Sequence, residues 1–426
     1  MKYVIFTFLV IAITTAAQAK YSGGTGEPND PYLISCADDL NALGVGFTDW
    51  GKCFKLTADI NMAAYPADAY KIIGTTQSMN FSGTFDGDEH VIQNFRCSIP
   101  FPSNMYVGLF GYTSNAVIKN LHLEDVNIAS VAHSTGAIAG VQSGGSIINC
   151  SSSGFINSIG SPAISSSGGL VGRLTDGNII DCFTEGTVRC TTTNYQTICM
   201  AGGIAGRQLS GSINTSFSAA SVSVQTSYLA QDFSYAGGIA GYCNGSIENC
   251  CSSGSISCSS MAYAGGHIGY QNNAPSKIEN CYSTGHVSTM GTPVFKGGLI
   301  GGSLGTVTAC FWDVNSSGQP TSAGGTGKTT AEMKTLSTFT SAGWNFNDVW
   351  HICEAMNYPR LRWSIPAADS ICPDGVNFVD YSFFVGRWLD TNCATNNDCD
   401  GTDFDSSETV DMEDLKVFCD YWLQGL

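Results

Sequence analysis

Short phrases of glycine and apolar residues recur at nearly even spacing through the middle of the chain. The first phrase is Gly108-Leu109-Phe110-Gly111, and later copies begin 29, 32, 34, 35, 28 and 32 residues after one another. These copies occupy residues 137–140, 169–172, 203–206, 238–241, 266–269 and 298–301. A period in this range is typical of stacked-repeat architectures, because one unit cannot bury its apolar face alone but adjacent units can.

Each unit also contains two shorter apolar patterns after the glycine phrase. In the second unit Ile147 is followed three residues later by Cys150, and Gly154 then precedes Ile156 by two residues. Similar spacing returns in the following units, so each unit holds three apolar segments separated by Gly, Ser and Asn. Segments of this length without a 3.6-residue period indicate β-strands rather than helices.

These patterns predict a mainly β fold, a right-handed parallel β-helix in which three short strands form each turn of a solenoid. A β-propeller uses repeats of similar or greater length, but each of its blades needs four strands. Glycines suit the corners of a β-helix because they adopt positive φ and let adjacent turns approach closely. We therefore expect repeats over residues 106–315, preceded by an N-terminal cap and the first turns over residues 20–105.

Residues 1–19 have the pattern of a signal peptide. Lys2 supplies the positive start, residues 3–13 the apolar stretch, and Ala17-Gln18-Ala19 the small-residue cleavage site. The apolar run is shorter than the roughly 20 residues that cross a bilayer, and no later segment has the pattern of a membrane span. The sequence therefore predicts a secreted, extracellular protein, either free or associated with the cell surface.

Residues 316–364 are expected to cover the far end of the solenoid. Met333, Leu336 and Phe339 recur at helical spacing and predict one short amphipathic helix over residues 329–342. Aromatic residues follow this segment as far as Trp363. A cap of this kind protects the last strand edge from pairing with other chains.

Charge is concentrated near the C-terminus. From Asp369 onward the chain has thirteen acidic residues against Arg387 and Lys416, a net charge of −11 out of −17 for the whole chain. This balance disfavours nucleic acid as a partner. It favours a small cation-binding module over residues 370–426.

The cysteines fall into two groups. Along the units, one small position is held by Leu121, Cys150, Cys182, Ser216, Cys250, Cys281 and Cys310. A position that accepts Leu and Ser favours buried thiols, and side chains that point the same way on adjacent turns disfavour bridging. The acidic tail is small enough to need covalent support, so we expect two disulfides there with the connectivity left open. The cysteines concerned are Cys372, Cys393, Cys399 and Cys419.

The glycine phrases resemble those of GLUG-motif repeat proteins over residues 106–315. The resemblance includes the steps Asn149-Cys150, Asp181-Cys182, Asn249-Cys250 and Asn280-Cys281. It implies a secreted bacterial protein, since such repeats occur in adhesin-like chains and beside immunoglobulin-A-cleaving metallopeptidases. The segments from Phe81 to Ile92 and from Trp344 to Trp363 also resemble those that flank such repeats in planctomycete-like secreted proteins. The sequence contains no His-Glu-x-x-His motif, so it does not itself predict a metallopeptidase.

Residues 403–414 place oxygen-bearing side chains at alternating positions. These oxygens stand at loop positions 1, 3, 5, 9 and 12, with a backbone carbonyl available at position 7, and this spacing suits the six to eight oxygen ligands of Ca²⁺. The tail has two related halves, each followed by an apolar segment, and is similar to a dockerin type I module. This resemblance implies a small α-helical C-terminal domain in which each calcium loop is followed by a helix. By this resemblance the cofactor is calcium, and its ligands are the side chains of Asp403, Asp405, Ser407, Asp411 and Asp414 and the carbonyl of Thr409. The resemblance also implies a cohesin-like module or a cell surface as the partner.

The first half of the tail, from Asp374 to Asp380, departs from this pattern. It is one residue short before Asp380, and it has no acidic residue between Asp374 and Asp380. In the second half, Glu408 occupies position 6, where the turn normally requires glycine, so that loop must strain or rearrange. The alternative is a solvated acidic surface on a helical hairpin, which explains the charge but not the alternating placement.

The sequence favours a non-catalytic scaffold for adhesion or extracellular glycan binding, with a polysaccharide as ligand. The candidate sugar-stacking residues are Tyr195, Tyr228, Tyr263 and Tyr282. The alternative is a carbohydrate-active enzyme, either a polysaccharide lyase or a glycoside hydrolase, which requires convergent carboxylates. Its candidate residues are Glu248 and Glu279, at equivalent positions of successive units, and Asp181. An acid pair on one face would favour the enzyme, and an aromatic strip without acids would favour the binder.

Overall fold

The computed structural model describes residues 20–99, 106–160, 164–192, 197–226, 233–259, 262–272, 276–290, 294–369, 371–372, 375–393 and 397–424. The expected signal peptide lies outside these ranges. No helix in the described residues is long and apolar enough to cross a membrane.

Three parallel sheets wind into a solenoid, which confirms the parallel β-solenoid expected from the repeats. The first sheet contains Tyr32–Ile34, Cys53–Leu56, Thr84–Asp86, Phe110–Ser114, Val117–Lys119, Ala139–Ile148, Val171–Ile180, Ala205–Gln208, Ser212–Asn214, Ala240–Cys243, Ser246–Glu248, Ile268–Gln271, Lys277–Glu279, Ile300–Ser303 and Thr306–Thr308. The second contains Ile60–Asn61, Val91–Gln93, Arg96–Ile99, His122–Ser130, Ser151–Ile159, Phe183–Thr184, Thr187–Thr191, Phe217–Ser218, Ser221–Gln225, Cys251–Ser252, Ile256–Cys258, Tyr282–Ser283, Val287–Thr289, Phe311–Asp313 and Thr326–Lys328. The third contains Tyr106–Val107, Ser134–Gly136, Ile164–Gly168, Ile198–Gly202, Ser234–Gly237, Ala262–Gly265 and Val294–Gly297.

The solenoid interior is filled by side chains that stand in register on successive turns. One such column on the first sheet contains Ile147, Ile179, Ile213, Ile247 and Ile278, each at most 1% exposed. Burying a side chain of this size contributes about 2 kcal/mol to folding. His267 lies in the same unit as Ile278, at the second position of the glycine phrase, which is Leu or Ile in the other units. It is also fully buried, so it is a packing residue.

The glycine phrases turn the chain from the third sheet into the first at a crowded corner. A Cβ at Gly203 would stand 2.0 Å from the carbonyl oxygen of Gly238, which occupies the same place one turn later. A side chain there would collide with the backbone of the adjacent turn. Close backbone packing between turns therefore explains the repeated glycine.

A second corner, between the first and second sheets, adopts left-handed backbone on every turn. Its residues have φ between 41° and 53°, and they are Asn120, Asn149, Asp181, Thr215, Asn249, Asn280 and Ala309. Asn and Asp tolerate this conformation better than other non-glycine residues. Asn149 also donates its Nδ2–H to Oδ1 of Asn120 on the preceding turn, at 3.1 Å. The Asn or Asp before Cys150, Cys182, Cys250 and Cys281 is therefore a corner residue.

The cysteine column following this corner consists of buried free thiols, as expected. Burial raises the pKa of the Cys182 and Cys281 thiols well above the ordinary value, so both stay protonated. The expectation that both disulfides lie within the tail is wrong for one of them. Cys393 bonds Cys399 in the tail, but Cys372 bonds Cys353 of the cap.

In the disulfide between the tail and the cap, the Cα atoms of Cys372 and Cys353 lie 5.6 Å apart. Cys419 is a free, exposed thiol on the solvent side of its helix.

Caps cover both ends of the solenoid. The N-terminal cap contains the helix Ala37–Val45 and the 3₁₀ turn Phe47–Asp49. At the other end the short helix Val314–Ser317 follows the last repeat. Beyond it the hairpin of Trp350–His351 and Arg360–Leu361 and the 3₁₀ turn Arg362–Ser364 complete the cap.

The single helix expected over residues 329–342 is wrong, because this segment forms two helices. They are Thr330–Met333 and Leu336–Thr340. The backbone N–H of Lys334 donates to the carbonyl of Ala331, the N–H of Thr335 donates to that of Glu332, and Thr335 is extended. The chain therefore changes direction between the two helices.

The C-terminal module contains the helices Phe378–Gly386 and Met412–Gln424 and a left-handed turn at Asn397–Gly401. Phe384 and Phe418 are buried between the helices with their ring centroids 5.3 Å apart. This pair forms the centre of the module's small core.

Candidate functional site

A groove of about 640 Å³ lies between the second sheet and the cap. Its floor comes from residues in register on successive turns, including Phe183, Phe217 and Tyr282. Its roof is formed by the cap segment Pro359 to Pro366 and by Tyr421 of the C-terminal module. The volume is in the range of ligand-binding clefts.

The floor of the groove is apolar, and its aromatic side chains are stacked. The rings of Phe183 and Phe217 stack with centroids 4.1 Å apart and planes at 21°. Cys251 and Tyr282 continue this column, and burial raises the pKa of the Cys251 thiol to about 12. The Tyr282 hydroxyl donates to the carbonyl of Pro359 at 2.6 Å, which ties the roof to the floor.

Polar groups at the groove are held in place by their neighbours. His122 contacts Ser151 Oγ through Nδ1 at 2.9 Å and Glu89 Oε2 through Nε2 at 3.0 Å. Asn149 donates to Glu89 Oε1 at 2.8 Å. Such fixed donors and acceptors orient a polar ligand at little entropic cost.

The roof presents an accessible aromatic ring. Trp363 is 38% exposed, and its indole N–H donates to the carbonyl of Thr215 at 2.7 Å. Tyr421 reaches the same space from the helix Met412–Gln424. Among the described residues that line the groove, Asp181 is the only carboxylate.

The carboxylates that the sequence singled out do not meet in the groove. Glu248 and Glu279 are register partners on the first sheet, as expected, and Glu279 forms an ion pair with Lys277. Asp181 belongs to the left-handed corner and lines the groove. The arrangement separates the glutamate pair from the aromatic groove.

The candidate tyrosines have different surroundings from those expected. Tyr263 is stacked between Tyr235, at 5.8 Å and 18°, and Phe295, at 4.7 Å and 14°. Tyr282 is 7% exposed. Neither therefore offers a free ring face to a sugar, and Tyr195 and Tyr228 lie outside the described residues.

Three of the expected calcium ligands converge. The carboxylates of Asp403, Asp405 and Asp414 offer oxygens that lie within 4.8 Å of one another. Asp403 and Asp414 are buried. Burial and the neighbouring carboxylates raise the pKa of Asp403 against the opposing effect of two backbone N–H groups.

Ser407, Thr409 and Asp411 complete the loop. Ser407 Oγ donates to the carbonyl of Thr409 at 3.1 Å, and Thr409 Oγ1 donates to Asp411 Oδ2 at 3.3 Å. Glu408 has φ +71°, so the loop keeps its left-handed turn at a strained residue. Buried carboxylates beside hydroxyl and carbonyl oxygens are a ligand set that fits a hard divalent cation.

Few of the residues that line the groove could have been identified from the sequence. Alignment of the units would have placed Phe183 and Phe217 on one face, because both directly follow the small position of the repeat. Trp363 and Tyr421 carry no such signal, since their places depend on how the cap and the C-terminal module fold back.

The GLUG motif family matches residues 164–189, inside the expected repeats, and this supports a GLUG-repeat protein. A protein of Evansella cellulosilytica assigned as a Gly-rich membrane protein is 41% identical over 101 residues, or 22% of this chain. Halomucin of Haloquadratum walsbyi is 32% identical over 139 residues, or 30% of this chain. The chain spans only 11% and 2% of the lengths of these two relatives.

The solved structures include one of similar fold. A Bacteroides ovatus protein assigned as an immunoglobulin A1 protease has a TM-score of 0.57 and 22% identity, over 81% of this chain and 96% of that one. A likeness at this identity concerns the fold alone. It supports a β-solenoid scaffold.

Proposed function

We propose that this chain is an extracellular, non-catalytic β-solenoid that binds a glycan chain in the groove between the second sheet and the cap. The observation that carries the proposal is that Trp363 and Tyr421 line the groove opposite its apolar floor of Phe183 and Phe217. The apolar face of a sugar ring packs on aromatic side chains, and its hydroxyls need fixed polar partners. Asn149 would provide such a partner.

The enzyme alternative is less well supported. Glycoside hydrolysis requires two carboxyl groups that flank one bond, whereas Asp181 is the only one among the described lining residues. Glu248 and Glu279 are neighbours on another sheet. A groove with one carboxylate and several aromatic rings favours binding over cleavage.

The test is to incubate residues 20–426 with a panel of polysaccharides and measure binding and newly formed reducing or unsaturated ends in the same samples. We expect at least one polysaccharide to bind without release of product. Product release would favour the enzyme, and Asp181, Glu248 and Glu279 would then be replaced first. Failure to bind any polysaccharide would contradict the glycan proposal.

We also propose that the C-terminal module holds one Ca²⁺ in the loop of residues 403–414. Asp403, Asp405, Ser407, Asp411 and Asp414 would bind through side chains and Thr409 through its carbonyl. The ion would offset the repulsion between the buried carboxylates.

Calcium titration of the purified chain tests this site. Asp403→Asn should abolish binding, whereas Asp420→Asn removes the same charge from an exposed position outside the loop and should leave binding intact. Equal affinity in the two variants would contradict the site.

The module's exposed apolar side chains suit a docking surface for a protein module such as a cohesin-like partner. Phe378, Val379, Val385 and Leu389 are between 47% and 77% exposed on or directly after the first helix of the module. Apolar patches of this kind mark interaction sites. Export through the signal peptide of residues 1–19 would place this surface outside the cell.

A further inference from the structure

The two halves of the C-terminal module correspond at an offset of 34 residues, which places the start of the first loop at Asp369 rather than Asp374. At this offset Asp369 matches Asp403, and Asp380 matches Asp414. Four further identities pair Val376 with Val410, Phe384 with Phe418, Trp388 with Trp422 and Leu389 with Leu423.

The final aspartate of each loop accepts hydrogen bonds from the backbone N–H groups of the same two loop positions. Asp380 accepts hydrogen bonds from the N–H groups of Ile371 at 3.1 Å and Asn377 at 3.0 Å. Asp414 accepts from those of Asp405 at 3.2 Å and Asp411 at 2.8 Å. These donors stand at loop positions 3 and 9 in both halves, so the two loops share a backbone framework.

The first loop lacks the oxygens that would complete a calcium site. Position 3 is Ile371 where the second loop has Asp405, and position 5 is Pro373 where it has Ser407. Neither Ile nor Pro has a side-chain oxygen. A divalent cation would therefore lose two of its ligands in this loop.

A side-chain cation stands beside the opening aspartate instead. The Arg360 guanidinium lies with Nη1 3.6 Å from Oδ2 of Asp369, whose side chain is fully buried. The same Oδ2 accepts a hydrogen bond from the N–H of Gly375 at 3.1 Å. A buried carboxylate requires such compensation, because an unpaired buried charge is strongly destabilising.

We infer that Arg360 supplies the positive charge in the first loop that Ca²⁺ would supply in the second. The first loop is then a metal-free latch that fixes the module to the cap. Arg360 lies on the cap strand Arg360–Leu361, and the disulfide between Cys353 and Cys372 joins the same two parts. The latch holds the module beside the groove, which Arg360 and Tyr421 both line.

Calcium stoichiometry tests the metal-free loop, and this arm rests on the proposed calcium site in the second loop. Titration of the full chain should give one Ca²⁺ per chain. Asp403→Asn should remove it, and Asp369→Asn should leave the stoichiometry at one. Two ions per chain, or loss of calcium in Asp369→Asn, would overturn the inference.

Amide exchange tests the latch independently of calcium. In chelator, Arg360→Gln and Asp369→Asn should each speed exchange across residues 371–380 by about tenfold, because each breaks a charged contact. The double variant should exchange no faster than the faster single variant, since both break the same pair. Multiplicative effects would overturn the latch. If the chain binds no calcium at all, the calcium proposal fails while this cycle still decides the latch.

Discussion

Trp363 donates its indole N–H to the carbonyl oxygen of Thr215, although 148 residues separate them in the chain. Thr215 lies at the left-handed corner of the solenoid, and Trp363 belongs to the cap. The bond therefore fixes the roof of the groove against the repeats, and it sets the position of the most accessible aromatic ring there.

Replacement of Trp363 tests the roof of the groove. Trp363→Ala should weaken binding of the glycan found in the panel by about tenfold or more, because a central aromatic contact is lost. Trp363→Phe keeps a ring but loses the hydrogen bond and should have a smaller effect. Phe378→Ala, at a 77% exposed ring of the module, is the control. Titration calorimetry measures all three, and unchanged affinity in Trp363→Ala would exclude the groove as the binding site.

His267 should make the stability of the solenoid depend on pH. Its Nδ1 contacts Ser252 Oγ at 2.9 Å, and burial lowers the pKa of the imidazole to about 3. The unfolded chain takes up this proton below about pH 6.5. Because the pKa of His267 is lower in the folded state than in the unfolded chain, its contribution to the free energy of unfolding is fully present above about pH 6.5. This contribution is lost progressively as the pH decreases toward 3.

The matched variant is His267→Ile, because the equivalent position of the other units is occupied by Ile or Leu. From pH 7 to pH 4 the wild type should lose roughly 3 kcal/mol more stability than the variant. Urea unfolding at several pH values measures the difference. The same pH dependence in both proteins would contradict the assignment.

The left-handed corner should tolerate glycine better than alanine. Asn249 has φ 52°, and alanine there would cost about 1 kcal/mol because its Cβ disfavours this region. Asn249→Gly should change the free energy of unfolding by less than about 0.5 kcal/mol. Urea denaturation compares the two variants, and equal losses would show that the side chain of Asn249, rather than its backbone conformation, is what matters.

Glu408 should strain the loop of residues 403–414. Its φ of +71° suits glycine, so Glu408→Gly should stabilise the loop by about 0.5–1 kcal/mol. Amide exchange across residues 403–414 should then slow by about two- to fivefold. Glu408→Gln removes the charge but keeps the strain, and it should show no such slowing. Equal slowing in both variants would attribute the effect to charge.

The solenoid could be predicted from the sequence because its restraints are local and repeated. The glycine phrase recurs because a side chain at a position such as Gly203 would collide with the backbone of the next turn at Gly238. The isoleucines recur because each one lies on the buried face of its turn. A signal that recurs in every unit is easily separated from chance.

The groove could not be predicted in the same way. Its roof depends on contacts such as Trp363 with Thr215 and Tyr282 with Pro359, each made once between distant parts of the chain. The local acidic pattern predicts that the first tail loop begins at Asp374, whereas the counterpart of Asp403 is Asp369. The cation that pairs with Asp369 comes from Arg360 of the cap, which no local spacing indicates.

The free thiols of the cysteine column have a consequence for how the protein matures. Both disulfides of the described chain join residues from Cys353 onward, and the column from Cys150 to Cys310 is buried and unbridged. The turns can therefore close in order as the chain emerges, with no oxidant required. In the described chain oxidation joins only residues of the C-terminal end, so the repeats can form under reducing or oxidising conditions.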